Sequence, residues 1–330
     1  MIRNKLRRKI TLGAVTVVSL AVAGLHRHAS ANYQKPINSD QNFIDFDWLD
    51  ASRNRVVPAR FYEPNPNSSD TINWPLVVFS HGLGGSRTGY SYLARHFASH
   101  GIASLHLQHV GSDRNVWGGN VFGLVERIAS ALQTSESIAR VQDLSFALDM
   151  LFSSDRAKHI DKSRVMAAGH SYGANTALLA AGALVRQDGQ FKSFADKRIR
   201  AAIAISAPHY YGKQDTSRSL ASVSIPSLHI TATEDSIRMP GYFSSVEDRL
   251  DVFEATGSAM KWLAVFEGGS HSVFTDRIGT GGLALNPKIK LATAELATVF
   301  FKTVFEENGS VAKEWTAKHG DIISKSIFKS

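Results

Sequence analysis

The sequence predicts an α/β fold, one mostly parallel sheet with helices packed on both of its faces. Two observations carry that prediction. Short apolar runs recur along the chain (Leu76-Val77-Val78-Phe79, Val165-Met166-Ala167-Ala168, Ala202-Ile203-Ala204-Ile205, Leu228-His229-Ile230 and Trp262-Leu263-Ala264-Val265-Phe266), with helix-like stretches between them. Strands that alternate with helices in this way imply parallel strands covered on both sides. One intervening stretch, 135–152, sets Ile138, Val141, Leu144, Leu148 and Leu151 at helical spacing, the stripe with which a helix packs on a sheet.

The elements follow in order. Arg3, Lys5, Arg7, Arg8 and Lys9 form a basic start, residues 10–25 are apolar, and Ala29-Ser30-Ala31 is an A-x-A site. That pattern predicts a secretory leader over 1–31, cleaved after Ala31, with a periplasmic or secreted product. Its apolar run is short for a spanning helix, which needs about 20 residues. The mature chain, 32–330, is expected to be a single domain, since no linker, repeat or low-complexity run divides it. It opens on a hairpin in which Phe43-Ile44-Asp45-Phe46-Asp47-Trp48 alternates, residues 52–55 turn, and 56–62 return. Helices are expected over 90–100, 135–152, 174–186, 246–255 and 287–305. Two stretches outside this rhythm, 111–133 and 207–225, leave the same sheet edge as possible rim or lid segments. The tail, 309–330, reads as peripheral helix and loop.

Three loops carry chemistry. Gly169-His170-Ser171-Tyr172-Gly173 lies between an apolar run and the small-residue stretch Ala174-Asn175-Thr176-Ala177. That is the strand–turn–helix setting in which G-x-S-x-G presents a nucleophilic serine. Glu234-Asp235 follows a second run, and Gly268-Gly269-Ser270-His271 a third. Serine, acid and histidine therefore occur in that order, each just past a strand end, on the edge where α/β sheets place their ligands. Ser171 is the candidate nucleophile, His271 its general base, and Asp235 the acid that orients the imidazole. Glu234 competes for the last role; the shorter side chain of Asp235 leaves less freedom at the loop start. The run ending at Ser80 leads into His81-Gly82-Leu83-Gly84-Gly85, and the backbone amides of Leu83 and Tyr172 are the candidate oxyanion donors. The Gly-rich loop lacks both G-x-G-x-x-G and a Walker lysine, so it does not read as a nucleotide cradle. Trp117, Tyr210 and Tyr211 are candidate walls of an acyl pocket.

The stretch from Val77 to Tyr90, with Leu93 and Ala98-Ser99-His100-Gly101, resembles the platelet-activating-factor acetylhydrolase branch of the α/β-hydrolases, whose bacterial members include dienelactone-hydrolase-like proteins. Gly169-His170-Ser171-Tyr172-Gly173-Ala174 is similar to that family's elbow, and His109-Val110-Gly111-Ser112-Asp113 to its H-x-G-S-D loop. Asp235-Ser236-Ile237 and Gly268-Gly269-Ser270-His271-Ser272 also resemble the acid and histidine loops of cutinase-like polyester hydrolases. The resemblance spans about 43–305. It implies the α/β-hydrolase fold with an eight-stranded, mostly parallel sheet, and a serine hydrolase of carboxylic esters. Two departures stand out. Dienelactone hydrolases use a cysteine nucleophile, and this chain has no cysteine. The animal acetylhydrolases carry their acid after the sixth strand, where this chain has Ser206; the resemblance therefore moves the acid to the seventh strand and favours Asp235.

Charge excludes one class. The formal net charge is +8, but residues 1–31 hold six of the 37 Lys+Arg and no acidic residue, which leaves 31 against 29 in the mature chain. Nucleic-acid binding thus loses its electrostatic support. The expected partner is a small-molecule or lipid ester, with no metal, no cofactor and no stable membrane insertion after cleavage. Other hydrolase readings are a polyester or cutinase-type enzyme, a lipase, a thioesterase or an amidase. From a different class, the chain could be a silent ligand-binding relative, which an intact serine, acid and histidine set argues against.

Overall fold

In the computed structural model, residues 43–64, 73–209, 215–239, 242–280, 282–306 and 311–329 are described. The expected leader and its cleavage point lie outside them, as do Tyr210 and Tyr211. Among the described residues the main sheet has nine strands: β1 Phe43–Asp50, β2 Arg55–Tyr62, β3 Trp74–Ser80, β4 Ala103–Leu107, β5 Ile160–His170, β6 Ile199–Ile205, β7 Ser227–Glu234, β8 Lys261–Ser270 and β9 Ile323–Phe328. Their order across the sheet is β1-β2-β4-β3-β5-β6-β7-β8-β9. Strands β4 to β8 pair in parallel, while β1, β2 and β9 join antiparallel at the two edges.

Two cores result, one on each face. Leu76 and Val78 of β3 and Val165 and Ala167 of β5 pack on one side, with α3 (Thr134–Phe152) and α4 (Tyr172–Ala180). The alternate residues Val77, Phe79, Met166 and Ala168 pack on the other, with α1 (Ser91–Ser99), α7 (Leu285–Glu306) and α8 (Val311–His319). Side chains alternate across a strand, so a strand buried on both sides must be apolar throughout, which is why these runs are continuous rather than alternating. Among the described residues no helix is long and apolar enough to cross a membrane.

The expected hairpin, parallel strands and two-sided helices are all present, and three details differ. The sheet has one strand more than expected, because the tail forms α8 and then β9, which pairs antiparallel with β8. The expected helix over 174–186 stops at Ala180. Gly182, at φ 117°, ends it, and Asp188-Gly189, both at positive φ, turn a small antiparallel hairpin between Leu184–Gln187 and Gln190–Ser193. Asp-Gly is a strong two-residue hairpin turn; the apolar look of Ala183-Leu184-Val185 hid it. Finally, the segment 111–133 folds as 3₁₀ turns at Arg114–Trp117 and Val121–Gly123 and a short helix, α2 (Leu124–Ala131).

After the short helix α5 (Thr216–Leu220), helix α6 (Val246–Ala255) carries a capping box, in which the Ser245 side chain accepts from the backbone of Asp248 while the Asp248 carboxylate accepts from Ser245 N. The Lys261 ammonium closes its other end, donating to the carbonyls of Phe253, Glu254 and Thr256 at 2.9 Å each. That satisfies acceptors a helix end otherwise leaves open, and it fixes the helix that flanks the site.

Candidate active site

Ser171, Asp235 and His271 are each the first residue past the C-terminal end of a strand: β5, β7 and β8. Parallel pairing brings those ends to one edge of the sheet, and the side chains meet there. His271 Nε2 lies 2.9 Å from Ser171 Oγ, and His271 Nδ1 lies 2.7 Å from Asp235 Oδ1. The other Asp235 oxygen accepts from Thr231 Oγ1 at 2.8 Å, and the Arg249 side chain stands 3.4 Å from Oδ1. Asp235 is wholly buried. Burial alone would raise its pKa; the His271 charge and hydrogen bond, with Arg249 and Ser206 behind them, outweigh that and hold the carboxyl well below the usual carboxylate range. Glu234, the last residue of β7, is exposed. The chain turns at the strand end, where Asp235 N donates to Ala232 O at 3.1 Å, and it is Asp235 that meets the histidine.

The elbow is strained where the motif requires it. Ser171 has φ 55° and ψ −122°, a region costly for a residue with a Cβ and found where surrounding structure enforces it. The glycines make that turn possible. A Cβ on Gly169 would lie 2.1 Å from the Gly173 carbonyl oxygen, and one on Gly173 would lie 1.9 Å from Ser80 O on the neighbouring strand. Ser171 N donates to Ile205 O of β6 at 2.8 Å, tying the turn to the sheet.

Leu83 and Tyr172 flank the serine in one cavity of about 940 Å³. Tyr172 opens α4, and the first amides of a helix project from its end without an intrahelical acceptor. On the loop side, His81 Nδ1 is 2.6 Å from Gly82 O, while His81 Nε2 accepts from His109 N at 3.1 Å. The second bond makes Nδ1 the protonated nitrogen, so it donates to the Gly82 carbonyl and sets the plane of the Gly82–Leu83 peptide. Burial, with the charge of Arg140 next, pushes the His81 pKa far down, and the ring stays neutral as that pattern requires.

A family model described as platelet-activating factor acetylhydrolase, isoform II, matches residues 58–117, from β2 to the first 3₁₀ turn of the rim. A search of the curated proteins gives no match. Among solved structures, a dienelactone hydrolase from Anabaena variabilis is similar with a TM-score of 0.51 and 18% identity, covering 78% of this chain and 97% of that one. The chain has the α/β-hydrolase fold. A cold-adapted esterase from an Arctic intertidal metagenomic library aligns over 77% of this chain and 97% of its own, with a TM-score of 0.48 and 19% identity. The stretch that the family model matches, residues 58–117, contains the loops after β3 and β4 whose motifs resemble that family.

The walls of the α/β-hydrolase cavity come partly from unexpected places. Trp117 lines it and donates from Nε1 to Gly84 O at 3.2 Å. A further part of the wall is a small hairpin, Ile237–Met239 paired with Tyr242–Ser244, which contributes Met239, Tyr242 and Phe243. Its strands are too short for a periodicity to register in sequence. Pro208 and His209 of the second expected rim segment also reach the cavity. Among the described residues His209, Asp248 and Asp251 are a group whose ligand atoms lie within 4.8 Å of one another, close enough to share a cation. His209 Nε2 is 3.2 and 3.1 Å from the two carboxylates, and Nδ1 is 2.7 Å from Thr216 Oγ1, which ties the loop after β6 to α6.

Two further residues brace the histidine loop. Tyr90 OH is 2.9 Å from His170 Nδ1, and His170 Nε2 lies 3.0 Å from the carbonyl oxygen of His271. Burial, then the neighbouring His271, lowers the His170 pKa to about 3, so this ring is neutral and donates from Nε2 to that carbonyl. His170 is one of the two variable residues of G-x-S-x-G, and only its place beside the serine hinted at a role. Arg249 was invisible in sequence, since it sits among acidic residues on α6 as a surface cation would.

Proposed function

We propose that this chain is an exported serine hydrolase that cleaves carboxylic esters through an acyl-enzyme. The single observation that carries the reading is the unbroken hydrogen-bonded line from Ser171 Oγ through His271 to the buried Asp235, opening on the cavity. As Ser171 Oγ bonds to the acyl carbon, His271 Nε2 takes its proton. Asp235 holds Nδ1–H and stabilises the imidazolium without taking the proton. The carbonyl oxygen becomes an oxyanion facing the amides of Leu83 and Tyr172. When the carbon–oxygen bond to the alcohol breaks, His271 returns the proton to the departing oxygen. Water then repeats the sequence on the acyl-enzyme and releases the acid. The line needs no metal or cofactor. Export rests on the leader pattern of residues 1–31.

Short acyl chains are the expected substrates, because the aromatic rings of Tyr172 and Trp117 and the side chain of Leu83 wall the cavity that holds the serine. A second reading, a polyester or long-chain hydrolase, is favoured by the cavity's size and by Met239 and Phe243 along its wall, Phe243 being 59% exposed. Each buried CH₂ would add about 0.8 kcal/mol in such a groove. A p-nitrophenyl series from acetate to palmitate separates the two: kcat/KM highest from acetyl to butyryl supports the first, and a steady climb to palmitate supports the second. The esterase reading itself is tested with a fluorophosphonate probe. Wild type should be labelled and Ser171→Ala not, with ester turnover reduced by at least about 10³; near-wild-type turnover by Ser171→Ala would sink the assignment.

A further inference from the structure

Below the loop that carries Leu83, the side chain of Arg140 is wholly buried in α3 and reaches three separate segments. Nε donates to Thr176 Oγ1 at 2.9 Å, Nη1 to Ser112 Oγ at 2.7 Å, and Nη2 to the carbonyl oxygen of His81. Its guanidinium also lies over the ring of Tyr172, 4.4 Å from the centroid. Every one of these contacts leads to one side of the oxyanion site. His81 precedes the Gly82–Leu83 peptide and, through its ring, holds the Gly82 carbonyl. The carbonyl of Ser112 accepts from Gly84 N at 2.8 Å, fixing the loop just beyond Leu83. Thr176 Oγ1 donates in turn to Tyr172 O at 3.2 Å, in the first turn of α4.

We propose that Arg140 is the positioning residue of the oxyanion site: one guanidinium clamps the loop after β3 to the first turn of α4 and so sets the separation of the Leu83 and Tyr172 amides. The inference rests on the esterase reading above. Arginine suits the place because its donors sit on three nitrogens of a rigid planar fork and reach acceptors on three separate segments, whereas the three donors of a lysine ammonium share a single nitrogen. Burying a permanent charge is costly, and a mere tie between helix and sheet is made as well by apolar side chains. A fork with all three directions used is what holding two donors to a fraction of an ångström calls for. The cost is offset nearby: the Ser112 hydroxyl itself donates a hydrogen bond to Glu136 Oε1 at 2.7 Å, so the cation is linked through one hydroxyl to a carboxylate.

The test compares purified full-length wild type with Arg140→Met, Arg140→Lys and Thr176→Val, using p-nitrophenyl acetate and phenylboronic acid, whose tetrahedral adduct with a serine presents an oxygen to oxyanion donors. Arg140→Met and Arg140→Lys are expected to lower kcat by about 10²-fold with KM changed less than about threefold, because misplacement of about 1 Å is enough for such a loss. Affinity for phenylboronic acid should fall in parallel with kcat. Thr176→Val keeps the shape and removes one acceptor, so it serves if the Arg140 variants fail to fold; about tenfold lower kcat with the same boronate weakening is expected. Folded variants with wild-type kcat, or with losses confined to KM, overturn the clamp and leave the esterase reading standing. Ester turnover that survives Ser171→Ala overturns both.

Discussion

At Asp235 a single carboxylate oxygen shares its surroundings with an imidazole at 2.7 Å and a guanidinium at 3.4 Å, in a site closed to solvent. Its neighbour Glu234 is exposed to water. The two acids should therefore separate cleanly on mutation. Asp235→Asn is expected to reduce kcat by about 10³–10⁴ through loss of the correct imidazole tautomer, and Glu234→Gln by less than about tenfold. Steady-state kinetics on p-nitrophenyl acetate decide it, and a larger loss from Glu234→Gln would move the acid back by one residue. Sequence order placed the candidate acid in this loop, but the choice within the pair is made by the turn at the end of β7, which buries Asp235 and leaves Glu234 exposed. Ser206 shows the same limit. The resemblance puts an acid at its place, and in the structure it is among the groups that lower the pKa of the Asp235 carboxyl.

The elbow works as an element because two backbones approach where no side chain fits. Strand β5 meets α4 at Gly169 and Gly173, and α4 crosses the end of β3 at Ser80. Gly173→Ala must push the helix from the strand and is expected to destabilise the protein by about 2–3 kcal/mol. The measurement is a urea midpoint that shifts at unchanged slope; wild-type stability with wild-type turnover would show that the turn can back away and that the glycine is incidental. The elbow was legible in sequence since its chemistry is local: two glycines, a serine, a strand before and a small-residue helix after. The hairpin at 237–244 was not, since three-residue strands carry no period, and neither was the Asp188-Gly189 turn inside an apolar stretch. The edge strand β9 was missed for a related reason: none of its residues from Ile323 to Phe328 is buried, and it is a strand because β8 offers it an unpaired edge.

Over the whole molecule, buried neutral histidines govern the response to acid. Burial lowers the pKa of His106, His170 and His229 to about 3, against about 6.5 for a histidine in an unfolded chain. As pH falls below about 6.5 the unfolded state gains protons that the folded state refuses, so stability is complete above that value and declines between there and about pH 3. Asp235, held low, adds its own loss only once the pH falls below the ordinary carboxylate range. The melting temperature is therefore expected to fall between pH 7 and pH 5, before carboxylates matter. His229→Gln should make the dependence of unfolding free energy on pH shallower by roughly 1 kcal/mol per pH unit between pH 5 and pH 6, measured by urea titration at each pH. An unchanged slope would show that His229 takes up a proton in the native state.

What the sequence determined by itself is whatever depends on short stretches: the alternation of apolar runs and helices, the elbow serine, the histidine in its glycine loop, and the order in which they occur. Those follow from periodicity and turn chemistry, which act over a few residues. What only the tertiary structure decided is which groups face one another across long separations. Arg140 shows the difference most clearly. In sequence it lies between Ile138 and Val141, on the apolar stripe of its helix, and a charge at such a position is the one local sign that it is buried. That its donors meet His81, Ser112 and Thr176 depends on β3, β4 and β5 lying side by side, and no local pattern encodes strand order. The same holds for the walls of the cavity. Their residues come from segments brought together at one sheet edge because parallel strands put all their C-terminal ends there.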